Sequence, residues 1–158
     1  TTMGELQVKG PCVASSYYNA ESDKWTKDGW FGTGDVVTID EDGYIKIADR
    51  TKDLIKSGGE WISSVDIENA LMGHPSISEA AVVAIPHPKW DERPLAAIVL
   101  KPGLNVCPSE LKKMLLEKFA KWWVPEAYEF IKEIPKTSAG KFKKSALREK
   151  YEDWSWED

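Results

Sequence analysis

A short glycine loop near the end of the sequence carries a lysine that could bind an anion. Residues 135–144 begin with a proline that ends a strand-like run, pass through small residues to Gly140, and then present Lys141. Glycine lacks a Cβ atom, so the loop can fold close to a ligand. The lysine adds a mobile positive charge that suits a phosphate or a carboxylate. Surface turns with lysines are common, so this loop alone does not establish a site.

Two further runs upstream contain side chains that could bind ligands. Residues 32–35 end in Asp35 after a Thr-Gly pair, and a carboxylate held there can accept hydrogen bonds from both hydroxyls of a ribose. The alternative interpretation is an aspartate that only caps its own turn. Residues 49–60 contain Arg50, which could form an ordinary salt bridge, and a Gly-Gly pair, which could be only a tight turn.

These runs, in this order, resemble the C-terminal third of acyl-CoA synthetases of the acyl-adenylate-forming superfamily. The segments that carry the resemblance are GELQVKG at residues 4–10, GWFGTGD at 29–35, WWVP at 122–125 and the glycine-lysine loop at 135–144. Any one of them could arise by chance, but the ordered set extends over almost the whole chain. Residues 57–64, SGGEWISS, are most similar to fatty-acid and related acyl-CoA ligases.

The resemblance implies how the chain would act on ATP. Lys141 matches the superfamily's catalytic lysine, which also contacts ATP during adenylation. Asp35 matches the aspartate that binds the ribose, and Arg50 matches the arginine that contacts the nucleotide of ATP or AMP. Three other lysines match no functional position, and we expect them to be ordinary surface lysines: Lys136, Lys143 and Lys144.

The resemblance also implies a hinge and a binding loop for coenzyme A. Lys52 stands at the position about which the superfamily rotates its small domain between two half-reactions, although a plain linker lysine would fit the same place. The loop of Gly58, Gly59 and Glu60 is implied to line the channel for the pantetheine arm of coenzyme A. No metal ligand is expected among these residues.

The sequence therefore predicts part of an acyl-CoA synthetase, an AMP-forming acid–thiol ligase. It would convert a fatty or related carboxylic acid to acyl-AMP and then to acyl-CoA, with ATP, Mg²⁺ and coenzyme A. One alternative is an adenylate-forming enzyme with another acceptor, such as a carrier-protein thiol. Another is a non-catalytic module that binds a nucleotide or a partner. These residues identify neither the acid nor the oligomeric state.

The resemblance further implies an α+β fold in two parts. Residues 1–49 would be the β-rich end of a large adenylate-forming domain. Residues 50–158 would be a small mobile C-terminal domain with a short central sheet flanked by helices. The superfamily's phosphate loop and acyl pocket lie in an N-terminal domain with no counterpart here. We therefore expect a fragment that is inactive alone and whose partner is the missing N-terminal domain of the same chain.

Composition limits the other function classes. The chain has 158 residues, of which 42% are apolar. No apolar run approaches the ~20 residues that span a bilayer, so we expect no transmembrane segment. Cys12 and Cys107 lie far apart without metal-type spacing, which favours a reduced, cytoplasmic setting. A net charge of −5 and the lack of an aromatic–basic RNA signature argue against nucleic acid.

Periodicity and turn residues predict the elements that carry these motifs. Asp40-Glu41-Asp42-Gly43 predicts a hairpin turn between two β-rich runs. Ser63 is predicted to cap a helix that ends at Gly73. Another helix should begin at Pro108, with Phe119 on its apolar face. Strands are predicted at residues 80–85, 96–100 and 128–131, and a terminal helix at 143–151.

Overall fold

The computed structural model describes residues 3–156; residues 1, 2, 157 and 158, which belong to the two predicted domains, lie outside the described part. The chain divides into two compact units, Thr1–Lys52 and Asp53–Asp158. The predicted boundary after Asp49 falls inside the last strand of the first unit, because Arg50 still pairs with Asp35 across that sheet. As a boundary between functional domains it stays a prediction.

The first unit contains a three-stranded antiparallel sheet. Its strands are β1 (Gly4–Val8), β2 (Phe31–Ile39) and β3 (Ile45–Arg50), in the order β1-β2-β3. The predicted hairpin between β2 and β3 is confirmed. The Asp40 carboxylate accepts hydrogen bonds from the backbone N–H groups of Asp42 and Tyr44, at 3.1 and 2.8 Å, and so fixes the turn.

The second unit is an α+β fold, as predicted. Its strands are β4 (Ile55–Ser57), β5 (Glu60–Ile62), β6 (Ile77–His87), β7 (Asp91–Leu100) and β8 (Ala127–Phe130). Their order is β5-β4-β7-β6, and β8 pairs in parallel with β7. The helices are α1 (Ser64–Met72), α2 (Pro108–Leu116) and α3 (Lys144–Lys150), with one 3₁₀ turn at Lys121–Trp123.

Alternating residues of β6 supply two hydrophobic cores, one on each face of the sheet. Val82 packs in the core that contains the buried leucines of α1 and α2, whereas Val83 packs in the core that contains Leu147 of α3. Side chains of a strand point alternately to its two faces, so a strand covered on both sides is apolar throughout. None of the helices in the described part combines the length and apolar character that crossing a bilayer requires.

Local signals at the helix ends agree with the sequence except at one residue. Ser63 caps α1, because its hydroxyl accepts a hydrogen bond from the backbone N–H of Asp66 at 3.2 Å. The chain leaves this helix at Gly73, and α2 begins at Pro108. The placement of Phe119 on the α2 helix was wrong, because α2 ends at Leu116. Phe119 instead stacks on Trp123, with the ring centroids 5.7 Å apart.

Candidate functional site

Lys141 lies on a tight loop that its own backbone closes. The backbone N–H of Thr137 donates to the Lys141 carbonyl at 2.8 Å, and the Lys141 N–H donates to the Thr137 hydroxyl at 3.2 Å. Gly140 has a φ of +77°, a conformation that glycine adopts without steric cost. The Lys141 side chain is exposed, and its ammonium makes no hydrogen bond or ion pair within residues 3–156. The charge is therefore available to an anion.

The neighbouring lysines differ in their surroundings. Lys136 forms an ion pair with Glu79 at 2.6 Å, and Lys143 is exposed. The prediction of a surface lysine is wrong for Lys144, whose side chain is only 12% exposed and lies 2.7 Å from the Glu68 carboxylate. Lys144 stands three residues before the buried Leu147 on α3, so both side chains lie on the helix face that packs inward.

Asp35 and Arg50 are brought together by the pairing of β2 with β3. The two residues are directly opposite each other, and the Arg50 Nε donates to Asp35 Oδ1 at 3.2 Å. The Asp35 side chain is one-third exposed. Its second carboxylate oxygen has no hydrogen-bond partner within the described residues. Asp35 is therefore oriented by Arg50 while it keeps one oxygen for a further donor.

The same corner of the first unit is held by hydrogen bonds between side chains and the backbone. The Thr33 hydroxyl accepts from the Asp35 N–H at 3.1 Å and donates to the Leu6 carbonyl at 2.9 Å. The Gly34 N–H donates to Glu5 Oε1 at 3.2 Å. The Thr-Gly-Asp run lies within β2 and is not the turn that the sequence suggested. These bonds fix it to β1, and the Arg50–Asp35 contact fixes it to β3.

Gly58 and Gly59 form the two-residue turn of the β4–β5 hairpin. Ser57 pairs with Glu60 on either side of it, and the glycines have φ values of +59° and +87°. Positive φ at both central positions defines a type I′ turn, which matches the twist of the flanking strands. The Gly58 N–H donates to the carbonyl of Trp90 at 2.9 Å, which fixes the turn against the start of β7.

A cavity of about 560 Å³ opens beside this glycine turn, within the second unit. Three groups of residues line it: Ser57, Gly58 and Glu60 from the hairpin, Trp90 and Arg93 from the β7 end, and Lys121, Trp122 and Glu126 from the segment before β8. Trp90 is 42% exposed and Trp122 is 52% exposed, so both indoles present apolar surface at the cavity. The cavity therefore combines aromatic walls with charged groups.

Arg93 is a buried arginine that the sequence analysis missed. Its residue is 3% exposed, and its guanidinium contacts both the hairpin side and the Trp122 side of the cavity. The available signal was weak: one arginine directly before the apolar run of β7. Periodicity identifies that run as buried but cannot indicate which loops a long side chain at its edge will reach.

The two units are joined at Lys52. The Thr51 N–H donates to the Gly34 carbonyl of the first unit at 2.9 Å. The Asp53 carboxylate accepts from Arg148 of α3 in the second unit at 2.7 Å. Lys52 is exposed and makes no side-chain hydrogen bond within the described part of the chain. It therefore lies between two neighbours that are each tied to their own unit.

Metal coordination and titration add little to these sites. Among residues 3–156, no group of three or more histidine, cysteine, aspartate or glutamate side chains could hold a metal ion. Outside the sites, burial raises the pKa of the Tyr128 phenol, and a hydrogen bond with Ser109 lowers the pKa of the exposed Cys107 thiol.

Comparison with known proteins gives a consistent set of relatives. The AMP-binding enzyme C-terminal domain matches residues 66–141. The chain is 60% identical over 156 residues to the long-chain-fatty-acid–CoA ligase of Thermus thermophilus. This match covers 96% of the chain and 29% of that relative.

Solved structures agree with this similarity. ATP-bound MatB from Rhodopseudomonas palustris matches with a TM-score of 0.88 at 32% identity, over 96% of this chain and 31% of that one. The amide bond synthetase McbA from Marinactinospora thermotolerans matches with a TM-score of 0.86 at 34% identity, over 95% of this chain and 31% of that one. The chain thus spans less than a third of the length of each of these three relatives.

Proposed function

The chain belongs to the AMP-binding enzymes of the acyl-adenylate-forming superfamily, and from that premise we propose that the protein carrying it is an acid–thiol ligase. The observation that carries the proposal is the 60% identity to a long-chain-fatty-acid–CoA ligase over 96% of the chain. The substrates would be a fatty or related carboxylic acid, ATP and coenzyme A. The partner of this chain would be the N-terminal domain that the longer relatives contain.

The first half-reaction joins the acid to AMP. A carboxylate oxygen attacks the α-phosphorus of ATP, the bond to the leaving oxygen of pyrophosphate breaks, and acyl-AMP forms. Two anions must approach each other, so a cation near the developing charge lowers the barrier. Lys141 fits this role, because its exposed ammonium is unpaired within the described residues and its backbone is fixed by Thr137.

Asp35 and Arg50 would hold the nucleotide in this half-reaction. The free oxygen of the Asp35 carboxylate can accept hydrogen bonds from ribose hydroxyls, the pairing that acidic residues provide in dinucleotide folds. Arg50 holds the other carboxylate oxygen at 3.2 Å and is itself 53% exposed, so it can also meet a phosphate. These two residues bind and orient, and they transfer no proton.

The second half-reaction transfers the acyl group to sulfur. The thiol sulfur of coenzyme A attacks the acyl carbon, the bond to the AMP oxygen breaks, and AMP leaves as the thiol loses its proton. The Gly58-Gly59 turn and Glu60 would line the path of the pantetheine arm. Support comes from the turn's position at the rim of the 560 Å³ cavity, where its backbone is exposed.

Lys52 would be the hinge between the two half-reactions. A hinge concentrates a large change of φ and ψ in one or two residues while their neighbours stay packed. Thr51 and Asp53 are each bonded to their own unit, and Lys52 between them is exposed. A long polar side chain there stays solvated in either orientation of the units.

A second candidate function changes only the acceptor. The similarity to an amide bond synthetase supports an enzyme that forms the same acyl-AMP but delivers the acyl group to a nucleophile other than coenzyme A. The adenylation residues Lys141, Asp35 and Arg50 would keep their roles. A purely non-catalytic module would need no such set together. The cytoplasmic setting inferred from Cys12 and Cys107 stays a prediction.

Acid-dependent release of pyrophosphate, measured with and without coenzyme A on the full-length protein that carries this chain, tests the proposal. We expect release with a fatty acid and formation of acyl-CoA when coenzyme A is added. Pyrophosphate release without acyl-CoA formation would favour another acceptor. No pyrophosphate release with any acid in a broad screen would refute the proposed ligase activity. The 158-residue chain by itself should show no exchange of pyrophosphate into ATP.

A further inference from the structure

We propose that Arg93 is a positioning residue for acyl transfer to coenzyme A: its guanidinium holds the glycine turn and the Trp122 segment at a fixed separation across the cavity. This inference rests on the proposed role of the glycine turn. Arg93 lines the cavity but is only 3% exposed, and both of its terminal nitrogens donate to protein groups. We therefore assign it a role through the groups that it binds.

The contacts of Arg93 divide between the two sides of the cavity. On the hairpin side, Nη1 donates to the hydroxyl of Ser57, the residue before the glycine turn, at 3.0 Å. On the other side, Nη1 also donates to the Trp122 carbonyl at 2.5 Å. Nη2 donates to the Val124 carbonyl at 3.2 Å and to the Glu126 carboxylate at 3.1 Å. One planar group therefore bridges two segments that the sequence separates by more than sixty residues.

Two other residues, one just before β7 and one near its start, hold only the hairpin. Glu92 Oε2 accepts from the Lys56 N–H at 2.9 Å, and the Trp90 carbonyl accepts from the Gly58 N–H at 2.9 Å. Of these three residues, Arg93 is the one whose described hydrogen bonds extend to the Trp122 segment as well. The hairpin can thus stay folded without Arg93, while the width of the cavity depends on it.

An arginine at this buried position is not explained by fold stability alone. Burial of a charged group costs desolvation free energy, and an apolar side chain of similar volume often stabilises a fold as well or better. The guanidinium offers its donors in a rigid fork, which fixes the angles between the groups it binds. The Nε atom is buried and has no partner within residues 3–156, so the geometry is not optimised for hydrogen-bond number. These features indicate that Arg93 sets a geometry.

The test compares half-reactions in the full-length protein. Arg93→Met keeps the volume and removes the fork, and we expect the KM for coenzyme A to rise about tenfold or more, because small misplacements of binding groups have large kinetic effects. Acid-dependent pyrophosphate release should change by less than about twofold, since the variant leaves the adenylation residues in place. Arg93→Lys keeps the charge but not the fork, and the KM should lie between those of wild type and Arg93→Met.

Two further variants separate positioning from general destabilisation. Ser57→Ala removes only the hairpin-side acceptor of Arg93, and it should raise the KM for coenzyme A in the same direction as Arg93→Met. Ile98→Val removes a buried methylene from the same strand without touching a hydrogen bond of the cavity, and it should leave that KM unchanged. Wild-type KM values in both Arg93→Met and Ser57→Ala would overturn the proposal, and so would an equal rise in Ile98→Val.

A structural measurement keeps the inference distinct from the proposed function. Amide hydrogen exchange of Gly58 and Trp123 in the 158-residue chain should be about tenfold faster in Arg93→Met, while exchange in α1 is unchanged. If the wild-type full-length protein makes no acyl-CoA, the proposed function fails, and the exchange rates still decide whether Arg93 positions the two segments. Unchanged exchange at both amides would overturn the positioning role.

Discussion

The two glycines of the β4–β5 turn offer a matched pair of alanine substitutions. Both add backbone strain, but only the one at Gly58 brings a new Cβ atom close to Trp90. Both have positive φ, +59° at Gly58 and +87° at Gly59, so an alanine at either position is strained by about 1–2 kcal/mol. A Cβ added at Gly58 would lie 3.1 Å from the Trp90 ring. A Cβ added at Gly59 would meet no atom within 4 Å.

The expected effects follow from this difference. Gly58→Ala and Gly59→Ala should each lower the free energy of unfolding of the second unit by about 1–2 kcal/mol. Gly58→Ala must also displace the indole by a few tenths of an ångström, and Trp90 is free enough to move because it is 42% exposed. That movement shifts a cavity wall, so Gly58→Ala should raise the KM for coenzyme A by about tenfold, and Gly59→Ala by much less.

Gly103→Ala is the strain control. Gly103 has a φ of +74° and open space around its Cβ position, and it lies in the turn after β7, where it lines no part of the cavity. Urea unfolding of the chain gives the stability of each variant, and steady-state kinetics of the full-length protein gives the KM for coenzyme A. If all three alanine variants raise this KM equally, or if Gly58→Ala leaves it unchanged, then the turn and Trp90 do not form the coenzyme A site.

Three further predictions concern single side chains. Lys141→Ala should reduce acid-dependent pyrophosphate release by a factor on the order of 10²–10³ but spare transfer from pre-formed acyl-AMP. The control Lys143→Ala should leave both half-reactions unchanged, and an equal loss of both half-reactions in Lys141→Ala would contradict the assignment. Tyr128→Phe should leave stability at pH 7 unchanged or increased, because the buried hydroxyl has no partner among the described residues. Burial raises the pKa of Tyr128, so wild-type stability should fall as pH rises above about 10, and the variant's should fall less in urea titrations. Ser63→Ala should cost about 1 kcal/mol of unfolding free energy through the lost α1 cap, and urea unfolding measures this loss.

The sequence predicted the elements better than their lengths. Residues 80–85 and 96–100 were recognised as strands, but β6 extends to His87 and β7 begins at Asp91. The added residues include Pro86 and Pro94, and proline ordinarily argues against a strand because it cannot donate to the ladder. Pairing over almost the full length of this hairpin outweighs the two missing donors. Local propensity cannot reveal that, since the stabilisation comes from the partner strand.

The sequence did not predict the shortest elements or the partners of individual side chains, for a different reason. β4 and β5 have three residues each, which is too few for a periodic pattern, so the sequence identified the glycine pair only as a loop or a tight turn and not as part of a hairpin. Asp35 and Arg50 were singled out separately, and only the register of β2 with β3 places them opposite each other. In the sequence Lys144 and Lys136 were both expected to be surface lysines, but Lys144 is largely buried and Lys136 is exposed. Each of these facts depends on contacts between residues far apart in the sequence.

As the proposed hinge, Lys52 would let one chain serve two half-reactions without rebuilding either unit. Under the proposed function, adenylation would need the Lys141 cation at the nucleotide, and transfer would need the glycine turn near the acyl carbon. Different parts of the second unit would then act in turn. Asp53 is bonded through Arg148 to α3, the helix that follows the Lys141 loop, while Thr51 is bonded to Gly34 beside Asp35. A rotation confined to Lys52 would keep both anchors intact. The second unit would then move as one body, and its two functional loops would exchange places without any change in their internal geometry.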